Sequence, residues 1–235
     1  RPRSTPTEPP TRVPVDIRRR PWMRRLATDY AYDFRQLAPF FAGDPSASSS
    51  WTAAIARVQA RGGERARIAQ VVAAQPRRRE APAGAIEAGS RLADPRTVAI
   101  VTGQQAGLFG GPLYTLLKAL TAIKIADQVS HDHHVPAVAV FWIDAEDHDW
   151  DEVRSCTVLD DTLTPRTVSL PADAAPEGAP IATVRLTDAV SVALDELERA
   201  LPATEFRPAL LAALRRAYTP GVGMADAFGR WIDSV

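Results

Sequence analysis

The chain has 235 residues, of which 46% are apolar, 7% aromatic and 24% charged, values that exclude wholesale disorder, collagen and a coiled-coil rod. Its 28 basic and 28 acidic residues cancel, which argues against a strong general attraction to nucleic acid. No apolar run approaches the roughly 18–20 residues that span a bilayer, and the single cysteine, Cys156, rules out an intrachain disulfide or a cysteine-built zinc site and fits a reducing cytoplasm. No secretory signal is expected, because no apolar stretch follows the N-terminal charges. All but two of the bases, Lys118 and Lys124, are Arg, a bias read as codon composition. The start at Arg1 without Met and the stop at Val235 just after a helical pattern read as a fragment of a longer protein.

Residues 1–20 carry Pro2, Pro6, Pro9, Pro10 and Pro14 among Arg and Thr and are expected to be extended or disordered. Residues 21–93 read as a helical region. Aromatics at 3-, 4- and 7-residue spacings predict a helix near 22–38, and Ser50 is placed to cap a second helix over 51–75 that weakens at Gly62-Gly63 and ends at Pro76. A further helical piece is expected near 82–92.

The pattern changes at Asp94-Pro95, where residues 94–235 begin. Thr97–Val101 reads as a buried strand, Gly103–Gly111 as a loop, and Pro112 as the opening of a helix whose Leu113, Leu116, Leu117, Leu120, Ile123 and Val129 recur with helical period. His131–His134 form a polar break, and Pro136–Ile143 a second buried strand. Strand, glycine loop, helix and strand make one βαβ unit with parallel strands. Beyond it, Arg154–Leu159 and Arg166–Leu170 read as a hairpin turning at Asp160-Asp161, Ala182–Leu186 as another strand, and 188–201, 206–217 and 222–234 as helices. The fold class is α/β: a Rossmann-like parallel-sheet core, incomplete in this fragment, behind a small helical layer.

Two stretches carry the chemistry. Gly103, Gly107, Gly110 and Gly111 fall within nine residues beside Gln104 and Gln105, so backbone could approach a ligand and the following helix N-terminus could offer free N–H groups to an anion. No Gly-Lys-Ser/Thr follows, and the spacing is not Gly-x-Gly-x-x-Gly, so neither a P-loop nor a dinucleotide loop is read. The second stretch, Asp144–Glu152, packs six acids and His148 into nine residues after the most apolar strand. Both leave strand C-termini, where open parallel sheets bind ligands. His148 beside Asp147 and Asp149 has the composition of a general base oriented by a carboxylate. Several carboxylates of this stretch could instead hold Mg²⁺ and a nucleotide phosphate; Glu146 belongs to the same stretch. Lys118, in the helix's second turn, is within reach of a ligand anion, whereas Lys124 is too far along. Tyr114 either lines the pocket or packs. His131, His133 and His134 read as a polar loop at the other end of the sheet, and Cys156 as a small packed residue rather than a nucleophile.

The run from Val101 to Tyr114, Lys118, and Val140-Phe-Trp-Ile-Asp-Ala-Glu-Asp-His-Asp149 together resemble the bacillithiol-biosynthesis cysteine-adding enzymes, the BshC family. Tyr218-Thr-Pro-Gly221 and Ala225–Phe228 also look like the family, so the resemblance covers roughly residues 22–235. The chain departs at Gly110, where the family usually has Thr. The resemblance implies a Rossmann-like core, a helical coiled coil from a C-terminal half that this chain lacks, and a homodimer in the full-length protein. It implies an enzyme, a ligase joining cysteine to glucosaminyl-malate through an amide. Its activation by ATP with Mg²⁺ is the natural expectation for a carboxylate that must be activated.

On that reading Glu146, Asp147, His148 and Asp149 are catalytic, and Gly103, Gln104, Gln105, Gly107, Gly111, Tyr114, Lys118 and Trp142 bind the two small substrates. Nucleic acid and membrane are not expected partners, and residues 1–235 alone are expected to be marginally stable and inactive. Two other classes stay open: a metal-dependent hydrolase or phosphoryl-transfer enzyme using the acid cluster, and a non-catalytic nucleotide-binding module.

Overall fold

The computed structural model describes residues 14–61 and 63–235. Pro2, Pro6, Pro9 and Pro10 of the expected disordered segment lie outside the described residues, as does Gly62. Two compact units divide between Arg57 and Val58.

In the first unit, a 3₁₀ turn at Ile17–Arg19 is capped by the Asp16 carboxylate, which receives the Arg18 backbone N–H at 3.0 Å. Helix α1 (Arg25–Tyr32) is shorter than the expected 22–38. The backbone leaves helical geometry at Asp33, and 3₁₀ turns follow at Phe34–Gln36 and Ala38–Phe40. This break lets Tyr30, Phe34 and Phe41 cluster with ring centroids 5.2–5.7 Å apart, which a continuous helix would not allow.

Helix α2 (Ser48–Ala60) starts two residues before Ser50, so Ser50 lies inside the helix and does not cap it. The expected 51–75 helix is two helices, because the chain breaks after Ala60 and α3 (Arg65–Arg78) restarts it. Pro76 lies inside α3 rather than ending it, costing one backbone bond close to the terminus. Helix α4 (Ala83–Arg91) packs closely on α3, where a β-carbon on Gly89 would sit 3.1 Å from the Ala73 Cα.

Strand β1 (Val98–Gln105), helix α5 (Leu113–His133) and strand β2 (Ala137–Asp144) form the expected βαβ unit. The strands are parallel and adjacent, in register from Val98 opposite Ala137 to Gln105 opposite Asp144. Two boundaries differ from expectation. β1 continues through Gly103, Gln104 and Gln105, because pairing with β2 extends it past the apolar run. α5 continues through the expected polar break and stops at His134, whose left-handed backbone (φ 54°) ends it.

The strands are less buried than their apolar sequences implied. Val101 is 62% and Trp142 65% exposed, because β1 pairs with β2 alone and its outer edge carries no neighbour among the described residues. On α5 it is Thr115, Ala122, Ala126 and Val129 that are buried, while Leu113, Leu117, Leu120 and Ile123 face outward. Val138 packs with Ala69 and Leu92 on one side of the sheet, and Phe141 and Ile143 face the main core on the other.

After a single helical turn, α6 (Trp150–Val153), strands β3 (Ser155–Leu159) and β4 (Pro165–Ser169) make a separate antiparallel hairpin turning at Asp160-Asp161. No strand forms over 182–186. Ile181–Thr183 is a 3₁₀ turn, and Val184 and Leu186 instead exchange backbone bonds with 221–224, leaving one isolated bridge, Arg185 with Gly223. Helices α7 (Ala189–Ala200), α8 (Arg207–Ala217) and α9 (Met224–Ile232) follow. The largest core gathers their inner faces with the hairpin and the glycine segment, around fully buried Leu108, Ile181, Val190, Leu214, Tyr218, Met224 and Phe228. No helix among the described residues is long and apolar enough to cross a membrane.

Candidate functional site

Parallel pairing in register brings the C-terminal ends of β1 and β2 side by side, so the glutamine pair and the acidic segment meet. Gln105 Nε2 donates to Asp147 Oδ2 at 2.9 Å and to Glu152 Oε2 at 2.8 Å. Its Oε1 accepts from Gln104 Nε2 at 2.5 Å, and Gln104 Oε1 accepts from Lys118 Nζ at 2.7 Å. Lys118 also donates to the Gly103 carbonyl at 3.1 Å, and Gln104 Nε2 lies 3.4 Å from the Tyr114 hydroxyl. An ammonium only donates and a carboxylate only accepts, so these end groups set the orientation of both amides between them. The result is a polarised chain from Lys118 to the Asp147 and Glu152 carboxylates across the strand ends.

Gly103 permits this approach of the strands. A β-carbon there would come within 2.6 Å of the Trp142 carbonyl oxygen.

The acids of the cluster are not equivalent. Asp147 Oδ1 receives the backbone N–H groups of His148 and Asp149 at 2.6 and 3.2 Å. With the Gln105 amide contributing most, these bonds hold its carboxyl below the ordinary aspartate range. Asp149 caps α6 through the Glu152 N–H at 3.0 Å, and Asp151 pairs with Arg154 at 2.6 Å. Glu146 and His148 are exposed. Asp147 bonds His148 through its backbone N–H, and the charge of the imidazole acts on the Asp147 carboxyl through space. His148 and Asp149 open instead onto a cleft of about 650 Å³ shared with Asp151, Asp173 and Glu177. Tyr114 and Lys118 line a separate, mainly apolar groove of about 370 Å³ with Val101 and Leu117. Of the expected site residues, His148 and Asp149 line the first recess and Tyr114 and Lys118 the second, while the bonded Gln105 and Asp147 line neither. A further cleft between the hairpin and α7 contains none of them.

The glycine turn behaves differently from the expected anion cradle. Gly107 is buried, its N–H donates to the Gln105 carbonyl, and the Gly110 and Gly111 N–H groups are also bonded within the turn. Phe109, Gly110 and Gly111 all have positive φ, at 53°, 98° and 69°. No β-carbon could stand on Gly110, because the Trp231 ring fills that space. A threonine at this position would meet that ring.

Tyr218, Trp231 and Glu152 are the residues that sequence reasoning left without a site role. Tyr218 lies inside a family-like stretch, and nothing in its spacing points back to Gly107. Cys156 is partly buried against the core, and burial pushes its thiol up, as expected of a packed residue. Among the described residues no group of three or more His, Cys, Asp and Glu converges as a metal site.

Residues 14–235 match the family model described as "Bacillithiol biosynthesis BshC, N-terminal Rossmann-like domain". The chain is 35% identical over 211 residues to a protein of Salinibacter ruber, covering 89% of this chain and 38% of that one. A Symbiobacterium thermophilum protein is 35% identical over 214 residues, covering 86% of this chain and 38% of its own length. A Chlorobaculum tepidum protein is 40% identical over 141 residues, covering 60% and 25%. Each bears a name that proposes a cysteine ligase, BshC. The chain spans 38% of the length of the first two relatives.

Proposed function

Because the chain belongs to the BshC family of bacillithiol biosynthesis, with a Rossmann-like fold over residues 14–235, we propose that it carries substrate-binding residues of a ligase. This ligase joins the carboxyl of cysteine to the amine of glucosaminyl-malate as an amide. The observation that carries this reading is the Lys118–Gln104–Gln105–Asp147/Glu152 chain at the strand ends.

Amide formation from a free carboxylate and an ammonium releases water and is unfavourable in water. The carboxyl therefore needs an activated leaving group, for which a nucleoside triphosphate with Mg²⁺ is the natural co-substrate. A substrate carbonyl set near Gln104 and Lys118 would meet donors already oriented by the chain. Gly103, Tyr114 and Trp142 would wall that side, while Gly107 and Gly111 would shape the turn behind it. The attacking amine must lose a proton as the C–N bond forms. His148, exposed beside Glu146 and Asp149, is the group we assign to accept it, and the Asp147 carboxylate is a fixed anion holding the segment in place. We further propose that the complete polypeptide works as a homodimer in the reducing cytoplasm.

The test uses the full-length protein containing these residues, mixed with cysteine and glucosaminyl-malate with and without ATP and Mg²⁺, and mass spectrometry for bacillithiol. Product supports the reading, and folded protein that gives none under either condition overturns it. His148→Ala should lower turnover by about 10²-fold or more. Unchanged turnover would remove His148 from the proton transfer.

A further inference from the structure

The Tyr218 side chain is fully buried, 111 residues beyond the glycine turn in sequence, yet its hydroxyl sits within the turn's own hydrogen bonding. It donates to the Gly107 carbonyl at 2.9 Å and accepts from the Gly110 N–H at 3.2 Å. Those two backbone groups also face each other at 3.2 Å, so the hydroxyl braces the pair that closes the turn. The Tyr218 ring meets Phe109 edge-on, with centroids 5.2 Å apart and planes at 74°.

That contact falls on the one non-glycine of three consecutive positive-φ residues. A left-handed phenylalanine costs free energy and persists only where its surroundings enforce it. Tyr218 supplies both constraints at once, a packed ring against Phe109 and a bridging hydroxyl against Gly107 and Gly110. Gly107 follows Gln105 by two residues and donates its N–H to the Gln105 carbonyl at 3.0 Å. At its other end the turn delivers Tyr114 and Lys118 on the first turns of α5.

We infer that Tyr218 is a positioning residue of the strand-end site. By bracing the turn from Gly107 to Gly111 from inside the core, it sets the separation between Gln104 and Gln105 on β1 and Tyr114 and Lys118 on α5. This inference rests on the ligase reading for its activity readout and not for its structural one. The hydroxyl is consumed internally and touches no substrate, so its loss acts through Gln104, Gln105 and Lys118.

The experiment compares Tyr218→Phe with Leu197→Ala, a buried change on α7, in the full-length protein. Hydrogen exchange is read on the segment holding Gly110 and on the rest of the chain, alongside kcat and KM for both substrates. The expected result for Tyr218→Phe is exchange faster by about tenfold at Gly110, in line with the loss of one buried hydrogen bond. A raised KM and lowered kcat should accompany it at a temperature where the protein is fully folded. Leu197→Ala should lower the melting temperature while leaving exchange at the turn and KM unchanged. Unaltered Gly110 exchange in Tyr218→Phe, or kinetic changes matching those of Leu197→Ala, would overturn the inference. If the unmodified protein makes no product, the ligase reading fails, and the Gly110 exchange still decides whether Tyr218 braces the turn. Should Tyr218→Phe not fold, Tyr218→Trp and Phe109→Gly are read in the same assay, and unchanged turn exchange in both overturns the inference.

Discussion

The ring of Trp231, on α9, occupies the space that a β-carbon on Gly110 would need. The two positions are a matched pair, in which one gives up its side chain and the other fills the gap. Substituting Gly110 by Thr should therefore combine overpacking against the indole with the strain of a β-branched residue at φ 98°. The expected loss is roughly 2–4 kcal/mol. In a Trp231→Leu background the same substitution should cost less, since the clash is relieved and only the backbone strain remains. A urea-denaturation cycle of the four proteins measures the coupling. Additive losses would mean that the indole moves aside freely.

Gln105 keeps two carboxylates together by giving each one amide proton. In Gln105→Ala, Asp147 loses the largest of the influences that depress its pKa. Its carboxyl should then titrate closer to the ordinary aspartate value, which ¹³C NMR of that carboxyl reads directly. Gln105→Glu should be more harmful than Gln105→Ala to turnover in the full-length enzyme. It places a third carboxylate beside Asp147 and Glu152 and removes the amide N–H groups that both accept. If Gln105→Glu proves as active as the parent, the polarised chain is not used in the reaction.

Arg79, just beyond α3, and Asp233, just beyond α9, form a pair with N–O distances of 2.7 and 3.3 Å across 154 residues. Their side chains are only 14% and 16% exposed. Removing either partner strands a half-desolvated charge, so Arg79→Ala and Asp233→Ala should each cost roughly 2–4 kcal/mol. The double variant should lose less than the sum of the two. Arg79→Lys should recover only part of the loss, because an ammonium lacks the planar fork that matches both carboxylate oxygens. Chemical denaturation of the single and double variants checks this, and losses under about 1 kcal/mol would place the pair with ordinary surface bridges.

Asp160 anchors the hairpin turn. It accepts from the Thr162 hydroxyl at 2.6 Å, from the Thr164 N–H at 2.9 Å and from Arg166 at 2.8 Å, and these bonds hold its carboxyl far below the usual range. A depressed folded pKa contributes stability that is complete above the unfolded value of about 3.9 and is lost as pH falls towards the folded one. Between pH 6 and about 4 the advantage of the parent over Asp160→Asn should stay constant. It should shrink between about pH 4 and 2. Urea midpoints across that range measure the gap, and one that persists unchanged to pH 2 would show that the Asp160 charge does not carry it.

The βαβ unit was legible in the sequence because its signals are local: a β-branched run at Val98–Val101, helical period after Pro112, and the apolar Val138–Ile143. The hairpin turn at Asp160-Asp161 and helices α7 to α9 were equally local. Where neighbours decide, the sequence misled. Pairing with β2 carried β1 through Gly103 to Gln105, and pairing with 221–224 dissolved the strand expected over 182–186. The family-like Thr-Gly-Gln-Gln and Glu-Asp-His-Asp runs marked the segments of the site. The partition of labour among the acids was not visible, because it depends on which donor each carboxylate meets.

Asp147, Asp149 and Asp151 look alike in sequence, yet one is held by Gln105, one caps a helix and one pairs with Arg154. The glycines of the turn read as an open cradle, since sequence reports conformational freedom and not what fills the space around it. Composition and periodicity determined most of the elements and the end of the sheet where the candidate site lies. Only tertiary contact could place Tyr218 and Trp231 behind that turn. Such contacts join residues more than a hundred positions apart, and no spacing rule reaches that far.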